Sequence, residues 1–393
     1  MKIKHTQNGF SLIELMIALT LGLLISAAVM QVYLTSIKTS SVQSGGTNIL
    51  EASIFGIQNI EKSVRLSNLG MADTNNPFTP LAGLVMTSDS SLVSDTQTDT
   101  SKNNMNSIKM GGTKSSAGGA DITDGYLTRS GNQSTSSDNN AWNAENSNVA
   151  GLKSSQLTIQ YEAPQNMYDC EGSLVRGPVE IDRSGRLTMI PGQVVIERYF
   201  LSEVAQNNKS NYESNIKSYE LRCDAGRYVK EDLTAAELDV QKIKDEDSTI
   251  LVAARNIRDF GDIGEVVIPR ADYFGISLGV EVVESTSPSN VSVSLRYFTP
   301  EEYMSFLKTV EQAESSGSAS TTTTTDVISV KLSVLVRADR PLTGEDGATK
   351  FIVFGEEEEL SSDTSSAFIR RVYESNIMLR NSRAIKESSI PNI

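Results

Sequence analysis

Glu14 stands at the edge of an uncharged apolar run from Leu15 to Val32. A carboxylate next to a low-dielectric phase is costly alone and tolerable beside a cation, so its chemistry is that of an ion pair. Phe10 lies four residues before it, one turn along a helix, and Gly9 precedes Phe10. Cys170 and Cys223 are the only thiols, and His5 is the only histidine. The chain beyond the first few residues therefore offers no Ser-His-Asp or Cys-His arrangement and no histidine ligand for zinc. A Ser-Lys arrangement is not marked by any motif. Asp259, Asp262 and Glu265 are acidic, but their spacing does not match an EF-hand loop. Glu356-Glu357-Glu358-Glu359 reads as a solvated turn. No Gly-rich phosphate loop follows a strand, so neither a cofactor nor a metal is expected.

The elements that position Glu14 begin with a basic leader containing Lys2 and Lys4. The apolar run is near the length of about 20 residues that a membrane helix needs. It exceeds the roughly 7–15 apolar residues of a secretory signal, and the small residue Gly9 comes before it instead of after it. A plain anchor explains its length and flank but gives no reason for Gly9-Phe10 or Glu14. Lys2 and Lys4 hold the start in the cytoplasm and send the C-terminal bulk across. Ala18, Gly22 and Ser26 recur every four positions, a spacing that lets helices approach closely in a membrane or reflects the frequency of small residues there. Leu50, Ile54, Ile57, Glu61 and Val64, with Ile60, continue a helical period. A helix from Phe10 to about Leu69 would be roughly 90 Å long. Ser44-Gly45-Gly46 is a candidate bend.

Residues 70–393 read as a β-rich unit, giving an α+β class: a long N-terminal α-helix, its first half transmembrane, packed on a mostly antiparallel domain. Leu157, Ile159 and Tyr161 alternate with polar residues, as do Val291, Val293, Leu295 and Tyr297, and Ile328 to Val336. Such alternation predicts strands with one wet face. Residues 85–150 are polar and poor in large apolar groups, so loops are expected, with a short strand near 122–127. Trp142 in that excursion is either a partner contact or a local packing anchor. Thr299-Pro300-Glu301-Glu302 predicts a helix start with a capping box, running to about Gln312. Residues 314–326 are expected to be a flexible loop.

The chain of 393 residues has a formal net charge of −14. That balance argues against a broadly basic nucleic-acid surface, although Arg183, Arg186, Arg370 and Arg371 are candidates for a local patch. In an oxidising compartment Cys170 and Cys223 read as a disulfide, the other reading being two separate buried thiols.

Gly9-Phe10-Ser11-Leu12-Ile13-Glu14-Leu15-Met16 closely resembles the type III signal of type IV pilins and type II secretion pseudopilins. The resemblance implies cleavage between Gly9 and Phe10 by a prepilin peptidase, N-methylation of Phe10, and a helix that is retained. It divides the chain into a leader (1–9), a transmembrane or filament-core helix (10–34), its periplasmic half (35–69) and the domain 70–393. Glu14 would meet the Phe10 amine of a neighbouring subunit during assembly. This chain lacks the proline that many pilins carry within the apolar run. Leu157 to Gln165, Asp169-Cys170-Glu171-Gly172, Leu221-Arg222-Cys223-Asp224 and Arg370-Arg371-Val372-Tyr373-Glu374-Ser375 to Leu379-Arg380-Asn381 are similar to PilW-type minor pilins. That implies a non-enzymatic subunit that primes or caps a type IV pilus in a tip complex, supporting twitching motility and DNA uptake. Its partners would be other minor pilins, the major pilin and the inner-membrane assembly platform. It would sit in the inner membrane with a periplasmic domain, then at the pilus tip. The J-class secretion pseudopilins, a tip adhesin and a membrane-anchored enzyme are the alternatives.

Overall fold

The structure is a computed structural model that describes residues 10–88, 103–105, 108–111, 120–131, 142–183, 185–230, 255–287, 290–316, 321–342 and 346–382. Gly9 and the rest of the leader lie outside the described residues, as does part of the polar excursion.

Helix α1 (Leu12–Leu66) runs unbroken through Gly45 and Gly46. The candidate bend is absent because Gly45 is a contact seat: a Cβ there would lie 3.2 Å from Ala338 Cβ and 3.6 Å from Ile369 Cδ1. The buried row is Gly45, Ile49, Ser53, Gly56, Ile60 and Val64. Leu50 and Ile54, expected on the docked face, are exposed. The rotation follows from the small residues, which let the backbone come close to the sheets. The helix ends before Leu69 because Asn68 takes a left-handed conformation (φ 67°) at the position after the cap. Asn68 then ties this end down. Its side chain donates to Ala72 O and Asn381 O, both at 2.8 Å, and accepts from Gly83 N at 2.8 Å.

Two four-stranded sheets receive the helix. The first has β1 (Gln156–Glu162), β2 (Val194–Glu203), β3 (Tyr219–Tyr228) and β4 (Glu265–Ile268), in the order β4-β3-β2-β1. The second has β5 (Ala271–Ser287), β6 (Asn290–Phe298), β7 (Thr322–Pro341) and β8 (Phe368–Met378), in the order β6-β5-β7-β8. All neighbours in both sheets are antiparallel. One apolar core joins α1, both sheets and helix α2 (Pro300–Ser315). The capping box at Thr299 and Glu302 forms as expected.

Three further expectations need correction. First, the loop 314–326 is much shorter. Helix α2 reaches Ser315 and β7 begins at Thr322, where the threonine run pairs with Ser285 to Val282. Residues 317–320 lie outside the described residues. Threonine is β-branched and fits a pleated ladder, which outweighs its polarity.

Second, the polar excursion 85–150 contributes core. Val85, Met105, Ile108, Ile122 and Leu127 pack with Val194, Ile196, Tyr228 and Ile257 on the far face of the first sheet. Residues 124–126 form a 3₁₀ turn, not part of a strand. The polar side chains act as backbone partners. Asn104 accepts from Met86 N at 3.0 Å and donates to Leu84 O at 2.7 Å. Gln156 donates to Leu127 O at 2.7 Å, and Gln160 to Ala82 O at 2.8 Å. The polar side of β1 is therefore dry and hydrogen-bonded, not wet. Trp142 is a packing anchor, buried against Ala144 and Phe200.

Third, the apolar side of β6 faces outwards. The register sets Val293 opposite Val283, Leu295 opposite Glu281 and Tyr297 opposite Gly279, on the outer face of the sheet. The inner end of β6 is held by Phe298, stacked on Tyr303 and Phe306 of α2.

The small-residue row gives a test of sign. A Cβ at Gly56 would lie 2.2 Å from Ile268 Cγ1 and 2.9 Å from Val267 O, whereas a Cβ at Gly46 meets nothing within 4 Å. Gly46→Ala is expected to stabilise the chain by up to about 1 kcal/mol through helix propensity. Gly56→Ala, with the same propensity gain, is expected to lose about 1–3 kcal/mol to overpacking. Denaturation midpoints of the two variants shifting in the same direction would refute this account.

Candidate assembly site

Phe10 precedes the N-cap Ser11, so it lies outside the helix that Glu14 belongs to. The helical-face relation expected between Phe10 and Glu14 is thus replaced by a cap. Ser11 Oγ accepts from Glu14 N at 3.3 Å and Ser11 O from the same amide at 3.1 Å. Glu14 occupies the first turn, where the unpaired amides favour a negative charge. Ala18, Gly22 and Ser26 are exposed along the same half of α1. Ser26 Oγ donates to Gly22 O at 2.8 Å, which satisfies the hydroxyl within the helix. A Cβ at Gly22 meets nothing within 4 Å. Every large apolar side chain from Phe10 to Leu34 is exposed. The first half of α1 is long and apolar enough to cross a membrane.

The second half is fixed by a buried polar hub. Glu197, on β2, is buried, and its Oε1 accepts from Tyr161 OH and from Cys170 N, both at 3.1 Å. Its Oε2 accepts from Tyr199 OH at 2.8 Å. Burial pushes the Glu197 carboxyl up, against hydrogen bonds from Ser63 of α1, Tyr199 and Tyr161. The disulfide Cys170–Cys223 adjoins this hub, with Cα atoms 6.2 Å apart. A cavity of about 310 Å³ lies between Lys62, Ser63 and Leu66 of α1 and the Asp169-Cys170 turn.

Two charge networks went unseen in the sequence, because their partners lie far apart along the chain. Arg198 is fully buried, 2.7 Å from Asp224, donating to Asp262 O at 2.9 Å and lying over the Phe200 ring at 4.2 Å. The carboxylates of Glu171, Asp224 and Asp262 lie within 4.8 Å of one another. Burial, then the charges of Asp224 and Asp262, push Glu171 up to about 8. Burial takes Asp224 up to about 6 although Arg198 pulls it down. The Arg198 guanidinium thus relieves this cluster from within. Asp259 pairs with Arg227 at 2.7 Å, so Asp259, Asp262 and Glu265 do not form a common ligand set.

In the second network Asp272 joins Arg337 and Arg370, while Glu213 meets Arg337 from the other side. Burial pushes Glu213 up, but the Ser210 side-chain and backbone donors and Arg337 outweigh it and hold it at about 2. Arg370 is consumed here, so it does not belong to a basic surface patch. The Glu356–Glu359 run is an exposed strand paired with Lys350–Val353, not a turn.

The family model of the prokaryotic N-terminal methylation motif matches residues 4–30. The model of the type IV pilus-assembly protein W (PilW) family matches residues 279–381, from β5 through β8. Among solved structures, the chain is similar to the type IV-like pilin TTHA1219 from Thermus thermophilus at 10% identity, covering 58% of this chain and 79% of that one, with a TM-score of 0.22. No curated protein matches the chain.

Proposed function

We propose that the chain, which matches the PilW family model over residues 279–381 and the N-terminal methylation motif over residues 4–30, is a PilW-type minor pilin that helps to prime or cap pilus assembly within a tip complex. The observation that carries this reading is the division of α1. The large apolar side chains of its first half are all uncovered, and its second half is built into the core of the domain. A helix of that kind holds the subunit in the inner membrane and then joins the apolar interior of a filament. The domain would lie in the periplasm and contact other minor pilins and the major pilin. Twitching motility and DNA uptake would depend on it through the pilus. The role is structural, not catalytic.

Within this reading Gly9 and Phe10 are the processing site, and Glu14 guides docking by pairing with the Phe10 amine of a neighbour. Ala18, Gly22 and Ser26 form the side on which neighbouring helices approach. Glu14→Ala is expected to leave leader cleavage intact and to lower recovery of the chain in sheared filaments at least tenfold, since an unpaired amine in an apolar interior is costly. Immunoblots of membrane and filament fractions measure both. Equal filament recovery from the variant and the native chain would refute the docking role.

A further inference from the structure

Among the described residues, strand β6 is an open edge of the second sheet. Its outer face carries Val291, Val293, Leu295 and Tyr297, exposed by 52, 62, 52 and 47%. Edge strands are ordinarily protected by lysine, proline or an inward charge. Here the strand Asn290–Phe298 contains neither lysine nor proline. Its one charge, Arg296, does point inward, to Glu284 at 3.2 Å and over the Phe306 ring at 5.5 Å, so it guards the inner face and leaves the outer apolar row without a charge. We propose that β6 is a strand-addition site, and that its occupant is an edge strand of a different pilin-class subunit, running antiparallel to β6 with apolar side chains at alternate positions.

The direction of the occupant follows from the fold and rests on the reading of the chain as a membrane-anchored pilin. Gly45 of α1 sits by Ile369, and Glu61 bonds Ser375, so β8 runs in the sense of α1. Three antiparallel steps across the sheet make β6 run against α1. Subunits in one membrane share the direction of their helices. Antiparallel pairing of β6 with the β6 of a second copy would invert one helix, and parallel pairing would keep the helices aligned but turn the second apolar row to the opposite face of the joined sheet, so neither route brings the two rows together. A second copy could offer β8, which has the right sense. Its outer face, however, carries Val372, Glu374, Asn376 and Met378. It would set a carboxylate, already 3.1 Å from Lys331, against the apolar row. The row instead fits a neighbour whose edge strand runs with its own helix and is apolar on the facing side. Main-chain bonds would supply the pairing, and the Val293 and Leu295 side chains the selectivity.

The test places a photoreactive benzophenone amino acid at Val293 of the full-length chain in cells. A second chain carries it at Leu187, an exposed apolar residue on a separate hairpin, as the control. Irradiation is expected to give one adduct from position 293, mapped by mass spectrometry to a strand of another pilin-class subunit, and none from position 187. Adding Leu295→Lys is expected to reduce that adduct at least tenfold while the amount of disulfide-linked chain stays the same. An adduct to a second copy, to a helix or to a protein of another class would overturn the proposal. So would no adduct in cells whose filaments contain the chain. Filament content is measured in the same cells. A mapped adduct with no chain in filaments would support strand addition and refute the filament reading alone.

Discussion

Asp272→Ala is expected to destabilise the folded domain by about 3–5 kcal/mol, the cost of leaving buried charge without its partner. Asp272 Oδ2 accepts from Arg370 Nε at 2.7 Å, and Oδ1 lies 3.3 Å from Arg337 Nε. The same Oδ1 accepts from Asn148 Nδ2 at 2.9 Å. The side chains of Asp272, Arg337 and Arg370 are at most 1% exposed, so water cannot replace the lost carboxylate. Glu213 remains for Arg337 only, reaching it beside Ser218 Oγ. Arg370 would be left with the carbonyl of Phe368. These residues join the start of β5 to β7 and β8, and Asn148 brings in the excursion, so the loss reaches four segments. Trp142, the single tryptophan, is buried in the domain and reports its unfolding. Urea titration of the mature chain in detergent should show the midpoint falling. The double variant Asp272→Ala with Arg370→Met should be more stable than Asp272→Ala alone, because it removes the stranded charge. A loss under about 1 kcal/mol, or a double variant weaker than the single one, would show that the network is not a closed unit.

What the sequence revealed and concealed divides along physical lines. The membrane half of α1, the box at Thr299 and Glu302 and the alternation of the central strands depend on local pattern, and local pattern is legible. The docked row Gly45-Ser53-Gly56 is not, since small residues carry no hydrophobic signal; their meaning is the closeness of Ile268 and Ala338. Asn104, Gln156 and Gln160 read as loop or wet face, yet they bond buried backbone. For Arg198, Arg337 and Arg370 nothing local shows that a carboxylate distant in sequence will meet them. On β6 the pattern was correctly periodic, but period alone cannot say which side is covered. That side depended on the register with β5.

Removing the disulfide, with Cys170→Ala and Cys223→Ala together, is expected to cost about 3–4.5 kcal/mol. The bond closes a separation of 53 residues, which chain entropy alone values at about 4 kcal/mol. The native side of the balance points the same way. Besides the disulfide, the turn of Cys170 is held by a hairpin of two-residue strands, Met167–Tyr168 and Leu174–Val175, by bonds from Glu171 N and Ser173 N to Asp169, and by Arg227, 3.8 Å from Asp169. The bond also presents Cys170 N to Glu197. If the turn moves away, that buried carboxylate loses one donor while keeping Tyr161 and Tyr199, and its hold on Ser63 of α1 changes with it. Loss of the bond should therefore do more than lower the midpoint. It should speed proteolysis within residues 166–176 of the folded chain and raise amide exchange around Ser63, at the junction through which the domain is carried by its helix. Reductant should reproduce the shift in the native chain and do nothing to the double variant. A midpoint lowered with no change in proteolysis or exchange would confine the disulfide to the unfolded chain. An unchanged midpoint would remove it from the account of stability altogether.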